Sequence, residues 1–240
     1  MIKKNNLIQI IIFIVPFIYL FPLSLGVVAM GNDFDLIYYS YKKYFFEFLQ
    51  EGIFPLWSPA ETAGFSIIYN PFAQVFYIPG FLNYLILLLK GTFSLYDYLL
   101  FTILGISIFN IGLYHWLNFF IKDRSINFIV VIVTTSSLLI TGLIKFPNAV
   151  HTFAWFPYVL LGINYSFYNN KKFKSFCLIF FPFIFLLTAG YPYFVVYFSF
   201  FLILYFIFIF IYQIYINNDL VLNNQYSLIK FFIRNILYFL

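Results

Sequence analysis

Two carboxylates stand where the first long apolar segment of the chain ends. Asp33 and Asp35 lie in the stretch GNDFDLIYYSY, residues 31–41. A carboxylate at such a place can cap the first N–H groups of a helix, act as a general base, or give oxygen ligands to a divalent metal. Two acids at i and i+2 leave all three roles open.

Four further residues are candidate contacts for a substrate. Glu61 can orient an acceptor or be a solvated loop acid, and Lys145 can pair with a phosphate as a point charge or anchor the chain at an interface. His151 follows shortly after, in an apolar segment, where an ionisable side chain is expected to face the interior or a water-filled cavity. Tyr191 can stack on a sugar or belong to an aromatic belt.

Several kinds of chemistry are not indicated. The sequence has no glycine-rich phosphate loop, no zinc-ligand spacing and no nucleophile elbow. The missing phosphate loop argues against direct use of ATP or nucleotide sugars. A single cysteine, Cys177, excludes an internal disulfide.

The composition indicates an all-α integral membrane protein. Of the 240 residues, 64% are hydrophobic and 9% are charged, and the mean hydropathy is +0.95. A soluble domain carries about 25% charged residues, so this chain lacks the side chains for a solvated surface. Its partners are therefore expected to include membrane lipids, and its net charge of +5 is better explained by topology than by nucleic acid.

The apolar segments predict a single transmembrane domain over residues 1–240. A spanning helix needs about 20 mostly apolar residues. An apolar segment that begins near Leu228 still runs at Leu240, so we expect the N-terminal part of a longer chain. The predicted spans are Leu7–Ala29, Tyr98–Ile121, Ile126–Ile144, Ala149–Tyr168, Ser175–Ala189 and Tyr193–Ile216.

Basic residues predict the orientation. The segment Phe76–Leu89 has about 14 residues, which suits an interfacial or re-entrant helix better than a span. If it does not cross, most basic residues lie at the cytoplasmic ends of spans, as the positive-inside rule requires. They are Lys3, Lys4, Lys122, Arg124, Lys171, Lys172, Lys174, Lys230 and Arg234. The prediction is a multi-pass membrane protein with its N-terminus on the cytoplasmic side.

This topology makes residues 30–96 a large outer loop. Within it, Leu36–Glu51 has apolar residues at helical spacing, with Lys42 and Lys43 assigned to the polar side. Asp35 is well placed as the N-cap of this amphipathic surface helix. Prolines then forbid a long regular helix over residues 52–79, and this apolar stretch is expected to wall off a cavity at the outer ends of the spans.

The loop resembles that of a known family. GNDFD, then GIFPLWSP (residues 52–59), Gly64 and YIP (residues 77–79) resemble the first outer loop of YfhO-like bacterial membrane proteins, in the glycosyltransferase C superfamily. NAVHTFAWFPYVLLGI (residues 148–163) and LTAGYPYFVVY (residues 187–197) are also similar to the family. The resemblance covers most of the chain, and the Pro-Leu-Trp element is its most specific part. Ser58 departs from the Asn more usual at its position.

The resemblance implies a fold and an activity. The fold is a multi-span helical bundle of glycosyltransferase C type, with surface helices in the first outer loop. The activity is transfer of a sugar from a polyprenyl-phosphate-linked donor to a glycan or lipid acceptor of the cell envelope. The family acid in the first loop corresponds best to Asp33, which would be the base; Asp35 remains an alternative. No cofactor is implied, although a divalent metal between the two acids is possible.

Two other functions fit a chain of this kind. A transporter or flippase of a lipid-linked intermediate would have paired, inverted segments broken at mid-membrane, and the sequence shows no such pairing. Few ionisable residues lie deep in the spans, which argues against a proton relay. A structural or assembly subunit with a vestigial acid is the third hypothesis.

Overall fold

The structure, a computed structural model, describes residues 4–59, 64–137, 142–168 and 172–221. This part of the chain is mostly helical, in agreement with the predicted all-α class. The α-helices are α1 (Lys4–Tyr19), α2 (Phe21–Ser24), α3 (Ser40–Gln50), α4 (Phe81–Lys90), α5 (Leu95–Phe120), α6 (Arg124–Thr135), α7 (Pro147–Tyr168), α8 (Lys172–Thr188) and α9 (Pro192–Val221).

Helix α5 lies at the centre of the bundle. It begins with a capping box: the Ser94 hydroxyl accepts from the Asp97 N–H, and the Asp97 carboxylate accepts from the Ser94 N–H and from the Lys90 ammonium. These bonds satisfy N–H groups that the first turn leaves unpaired. Helices α1, α6 and α7 pack against α5, and α7 also packs against α8 and α9.

Two of the described helices, α5 and α9, are long and apolar enough to cross a membrane. Most of α5 is buried inside the bundle, whereas α9 turns nearly all of its apolar side chains outward. An outward surface this apolar would be unstable against water and is typical of a helix that faces lipid.

The helix bounds differ most from the predicted spans in two places. Helix α1 ends at Tyr19, where the short α2 with Pro22 follows, and helix α6 ends at Thr135. Helix α4, in the segment Phe76–Leu89 that was not predicted to cross, has ten residues and rises about 15 Å, half the roughly 30 Å of a hydrocarbon core. The apolar segment predicted from residue 228 onward lies outside the described residues.

The predicted outer loop folds into small pieces on one end of the bundle. A π-helix (Phe34–Tyr39) leads directly into α3. Strands β1 (Trp57–Ser58) and β2 (Phe65–Ser66) then pair antiparallel. Residues 70–80, here called the strap, contain two 3₁₀ turns, Pro71–Ala73 and Ile78–Gly80, and lead into α4.

The apolar side of α3 is wider than the sequence predicted. Phe45 and Phe46 are both fully buried, and so is Lys42, which the sequence pattern assigns to the polar side. The assignment of Lys42 was wrong because the strap covers that side of the helix. Lys43 and Glu47 do lie outside, where they form an exposed i,i+4 ion pair.

Candidate functional site

The chain around Asp33 has an unusual backbone. Asn32 adopts a left-handed conformation with φ 57°, which few residues other than glycine and asparagine tolerate. The π-helix starts two residues later, and single π turns often occur at functional sites. Asp33 occupies the N-cap position of this helix, but its carboxylate makes no capping hydrogen bond and is exposed. The carboxylate is therefore open to solvent and to a ligand.

Asp35 is not the N-cap that the sequence predicted. It lies inside the first turn of the π-helix, half-buried, because the helix begins at Phe34. Its backbone carbonyl accepts a hydrogen bond from the Ser40 hydroxyl at 2.9 Å. The early start follows from Asn32, whose carbonyl accepts from the N–H groups of both Asp35 and Leu36.

The predicted residues Asp33 and Tyr191 both lie close to Tyr38. Burial raises the pKa of the Tyr38 phenol, and the neighbouring Tyr191 and the Asp33 charge raise it further. The Tyr38 ring packs edge-on against Phe72 of the strap at 5.2 Å and against Phe146 at 6.4 Å. Phe146 in turn lies 6.1 Å from Tyr191. The fold thus gathers one carboxylate and two phenols, none of them adjacent in sequence, at one end of the bundle.

Two further predicted site residues are Lys145 and Glu61. Lys145 is exposed, one residue before Phe146. It is therefore at the same end of the bundle as Tyr38 and available to an anionic ligand. Glu61 lies outside the described residues.

His151 is fully buried and does not reach the surface near Asp33. Its ring stacks on Phe101 with centroids 4.0 Å apart, and its Nδ1 lies 3.1 Å from the Tyr77 hydroxyl. The Trp155 indole N–H donates to that same hydroxyl at 2.9 Å. The phenol can donate its proton to Nδ1 when the ring proton is on Nε2, and no side-chain hydrogen bond to Nε2 is found among the described residues.

Asn148 fastens the strap to the bundle. Its amide N–H groups donate to the carbonyls of Phe72 and Gly190, each at 3.2 Å, and to that of Pro71 at 3.4 Å. Its Oδ1 accepts from the Tyr98 hydroxyl at 3.3 Å. The turn at Gly190 is equally tight, since a Cβ there would meet the Pro71 carbonyl at 2.0 Å.

The sequence analysis missed Lys42 as a functional candidate. Its Nζ donates to the carbonyls of Ala73 and Gln74 at 3.2 and 3.3 Å, and lies 5.0 Å from the Phe46 ring centroid. Burial lowers the pKa of Lys42 from 10.5 to about 7. A signal was present in the sequence, because the aromatic residues Tyr38 and Phe46 stand four residues before and after Lys42, so that a helix brings both next to it.

The described residues do not form a metal site. Nowhere in residues 4–59, 64–137, 142–168 and 172–221 do three His, Cys, Asp or Glu side chains come together as metal ligands. A small apolar cavity lies elsewhere, between α5 and α7, and no predicted site residue lines it. Its walls are Ile106, Phe109, Leu143, Val150 and Phe153.

No family model, curated protein or solved structure matches the chain. The class that the fold defines is a mostly helical protein with two helices fit to cross a membrane, and any finer assignment depends on the site.

Proposed function

We propose that this protein is an integral-membrane glycosyltransferase that moves a sugar from a polyprenyl-phosphate-linked donor to an extracytoplasmic glycan or lipid acceptor. The observation that supports it best is Asp33: an exposed carboxylate, held on a left-handed residue and a π-helix, that caps nothing. A π-helical turn of this kind is often found at functional sites. The apolar helices α5 and α9 supply the membrane location that such a donor requires.

The reaction assigns a role to each exposed group. The Asp33 carboxylate takes the proton of the acceptor hydroxyl as its oxygen attacks the anomeric carbon. The bond from that carbon to the phosphate oxygen breaks, and polyprenyl phosphate leaves with the electron pair. Lys145 offsets the charge of the phosphate, and Tyr191 offers a stacking face and a hydroxyl to the sugar, while the buried Tyr38 lies close to both Asp33 and Tyr191.

His151 has a positioning role in this scheme. Because its ring is buried against Phe101 and bonded to Tyr77, it cannot touch a donor at the surface. It holds the strap that carries Phe72 beneath Tyr38. Asp35 lies next to the base on the same turn and is the weaker candidate, since it is half-buried.

Sugar transfer by cells that carry the full-length protein tests the proposal. Cells lacking the native gene are grown with tritiated glucose, mannose or N-acetylglucosamine, and label is counted in envelope glycans and lipids. We expect Asp33→Asn to lower incorporation at least about a hundredfold, which is typical for loss of a general base. Glu51→Gln, an exposed acid at the end of α3, is the matched control and should keep full transfer.

Two results would contradict the proposal. One is full transfer by an Asp33→Asn protein present at normal amount. The other is movement of labelled polyprenyl-phosphate sugar across vesicles by the reconstituted protein with no transfer, which would identify a flippase.

The orientation is tested separately. In a Cys177→Ser background, a cysteine at Glu51 should react with a membrane-impermeant maleimide on intact cells. A cysteine at the exposed Lys122 should react only after permeabilisation. Labelling of both positions from the same side would place Asp33 and the α5–α6 turn in one compartment and contradict the predicted topology.

A further inference from the structure

The strap is fastened from two opposite sides. On one side, Asn148 and the Tyr77–His151 bond tie it to helix α7. A second amide reinforces this side, since the Gln74 side chain donates to the Ala189 carbonyl at 2.6 Å. On the other side, the ionisable Lys42 side chain of α3 donates hydrogen bonds to two carbonyls of the strap.

In its charged form Lys42 holds the strap poorly, because the ammonium group is fully buried. The ammonium has three donors, and two carbonyls accept from it. No described carboxylate forms an ion pair with it; the ion pairs in this part of the chain are Lys43–Glu47 and Lys90–Asp97. A buried charge without a counter-ion costs several kcal/mol, which the protein avoids by losing the proton.

The ionisable groups around Lys42 do not stabilise its charge. His151 of α7 lies close enough to be influenced by the Lys42 charge, and the Tyr77 ring of the strap flanks the same Gly80 as Lys42. Tyr38 is one turn away in the π-helix. Tyr84 of α4 gives its hydroxyl to the Leu49 carbonyl. Burial raises the pKa of the Tyr38 and Tyr77 phenols, so neither is an anion near pH 7, and a histidine ring does not become one; none of these three groups compensates for a buried ammonium.

We propose that the strap is a protonation-sensitive latch: it lies closed on the bundle while Lys42 is neutral and lifts when Lys42 takes up a proton and turns to water. Lifting would carry Phe72 away from Tyr38, since Phe72 belongs to the strap. The inference goes beyond the proposed function and does not require it, because opening is measured without any substrate.

The direction of the pH effect follows from linkage. Closed, Lys42 has a pKa of about 7; open, it returns toward its ordinary 10.5. Between these values the open strap binds one more proton, so each unit of falling pH favours opening by about tenfold. Below about pH 7 both states are protonated and the dependence ends. The closed state of the strap is thus most stable at alkaline pH.

Hydrogen exchange of the strap amides tests the latch. Ala73, Gln74 and Tyr77 are buried, and their N–H groups donate to carbonyls within the strap, so lifting the strap exposes these short turns to water and to exchange. The full-length protein in detergent micelles is exchanged from pH 6 to 9.5 and analysed by mass spectrometry, with each rate divided by its intrinsic value at that pH. Protection should rise about tenfold per unit above pH 7 and be level below it.

Two variants and one internal control make the result decisive. Lys42→Met keeps the length and apolar stem but cannot titrate, so its strap protection should be independent of pH. Lys43→Met, next along the helix and exposed, should retain the wild-type slope. The Ile67 N–H, which donates to Leu56 in the hairpin, should show no slope in any variant. A flat wild-type profile, or an equal slope in Lys42→Met, would overturn the latch; the wild-type profile decides alone if Lys42→Met does not fold.

Discussion

The acidic turn and the strap belong to the same segment between α2 and α5 but are built in opposite ways. The turn around Asp33 is exposed, has a left-handed residue followed by a π-helix, and leaves its carboxylate without a capping bond. The strap is held by buried hydrogen bonds, and the Asn148 amide alone donates to the carbonyls of Pro71 and Phe72 in the strap and of Gly190 beside it. The two regions therefore differ in role: the strap holds this segment on the bundle, and the turn is left available for a ligand.

This contrast predicts that substitutions in the two regions affect different properties. Removing a strap fastener should cost stability, because a buried polar group left without its partner costs about 1–3 kcal/mol. Changing an exposed side chain of the turn should leave stability within about 0.5 kcal/mol while changing chemistry. The predictions below run from the largest expected change in the free energy of unfolding to the smallest.

Asn148→Leu should have the largest effect on stability. It removes the shared partner of the Pro71, Phe72 and Gly190 carbonyls, so we expect a loss of about 3 kcal/mol or more. Denaturant titration of the purified protein in detergent micelles measures it.

Asn164→Leu, on the same helix, is the matched control for that prediction. Asn164 accepts one bond, from the Tyr205 hydroxyl, and its amide nitrogen has no partner in the described part of the chain. The Asn164→Leu substitution should lower the free energy of unfolding by about 1 kcal/mol. Equal costs at the two positions would mean that the strap contributes nothing special to holding the segment.

Tyr77→Phe should have an intermediate effect. It leaves the Trp155 indole N–H and His151 Nδ1 without their common partner, for an expected loss of about 2 kcal/mol. Tyr84→Phe is the control, since that part-buried hydroxyl donates to one carbonyl only and should cost about half as much. The same titration compares them, and a Tyr77→Phe protein as stable as wild type would remove the phenol from the fastening.

Much of the helical frame could be predicted from the sequence. Apolar runs placed α5, α7 and α8 within about three residues of their observed ends, because a membrane-length apolar helix is visible as a long continuous apolar run. The interior position of His151 also followed, since an ionisable side chain in an apolar segment must face inward.

The contacts of the strap could not be predicted in the same way. Tyr77 and His151 are 74 positions apart, and Gln74 and Ala189 are 115 apart. No local pattern encodes such pairings. Lys42 was misassigned for a related reason: helical spacing shows which side of α3 is apolar, but not that the strap lies over its edge. The π-helix arose from Asn32, whose backbone conformation no composition rule foretells.

Asp33→Asn should have the smallest effect on stability and the largest on chemistry. The side chain is exposed and caps nothing, so the free energy of unfolding should change by less than about 0.5 kcal/mol. The most direct test therefore makes two measurements on the Asp33→Asn protein. The first is its free energy of unfolding in detergent micelles, and the second is the tritiated sugar that is incorporated by cells carrying this variant at the wild-type amount. We expect unchanged stability with transfer lowered at least about a hundredfold. Unchanged stability with unchanged transfer would contradict the assignment of Asp33 as the base.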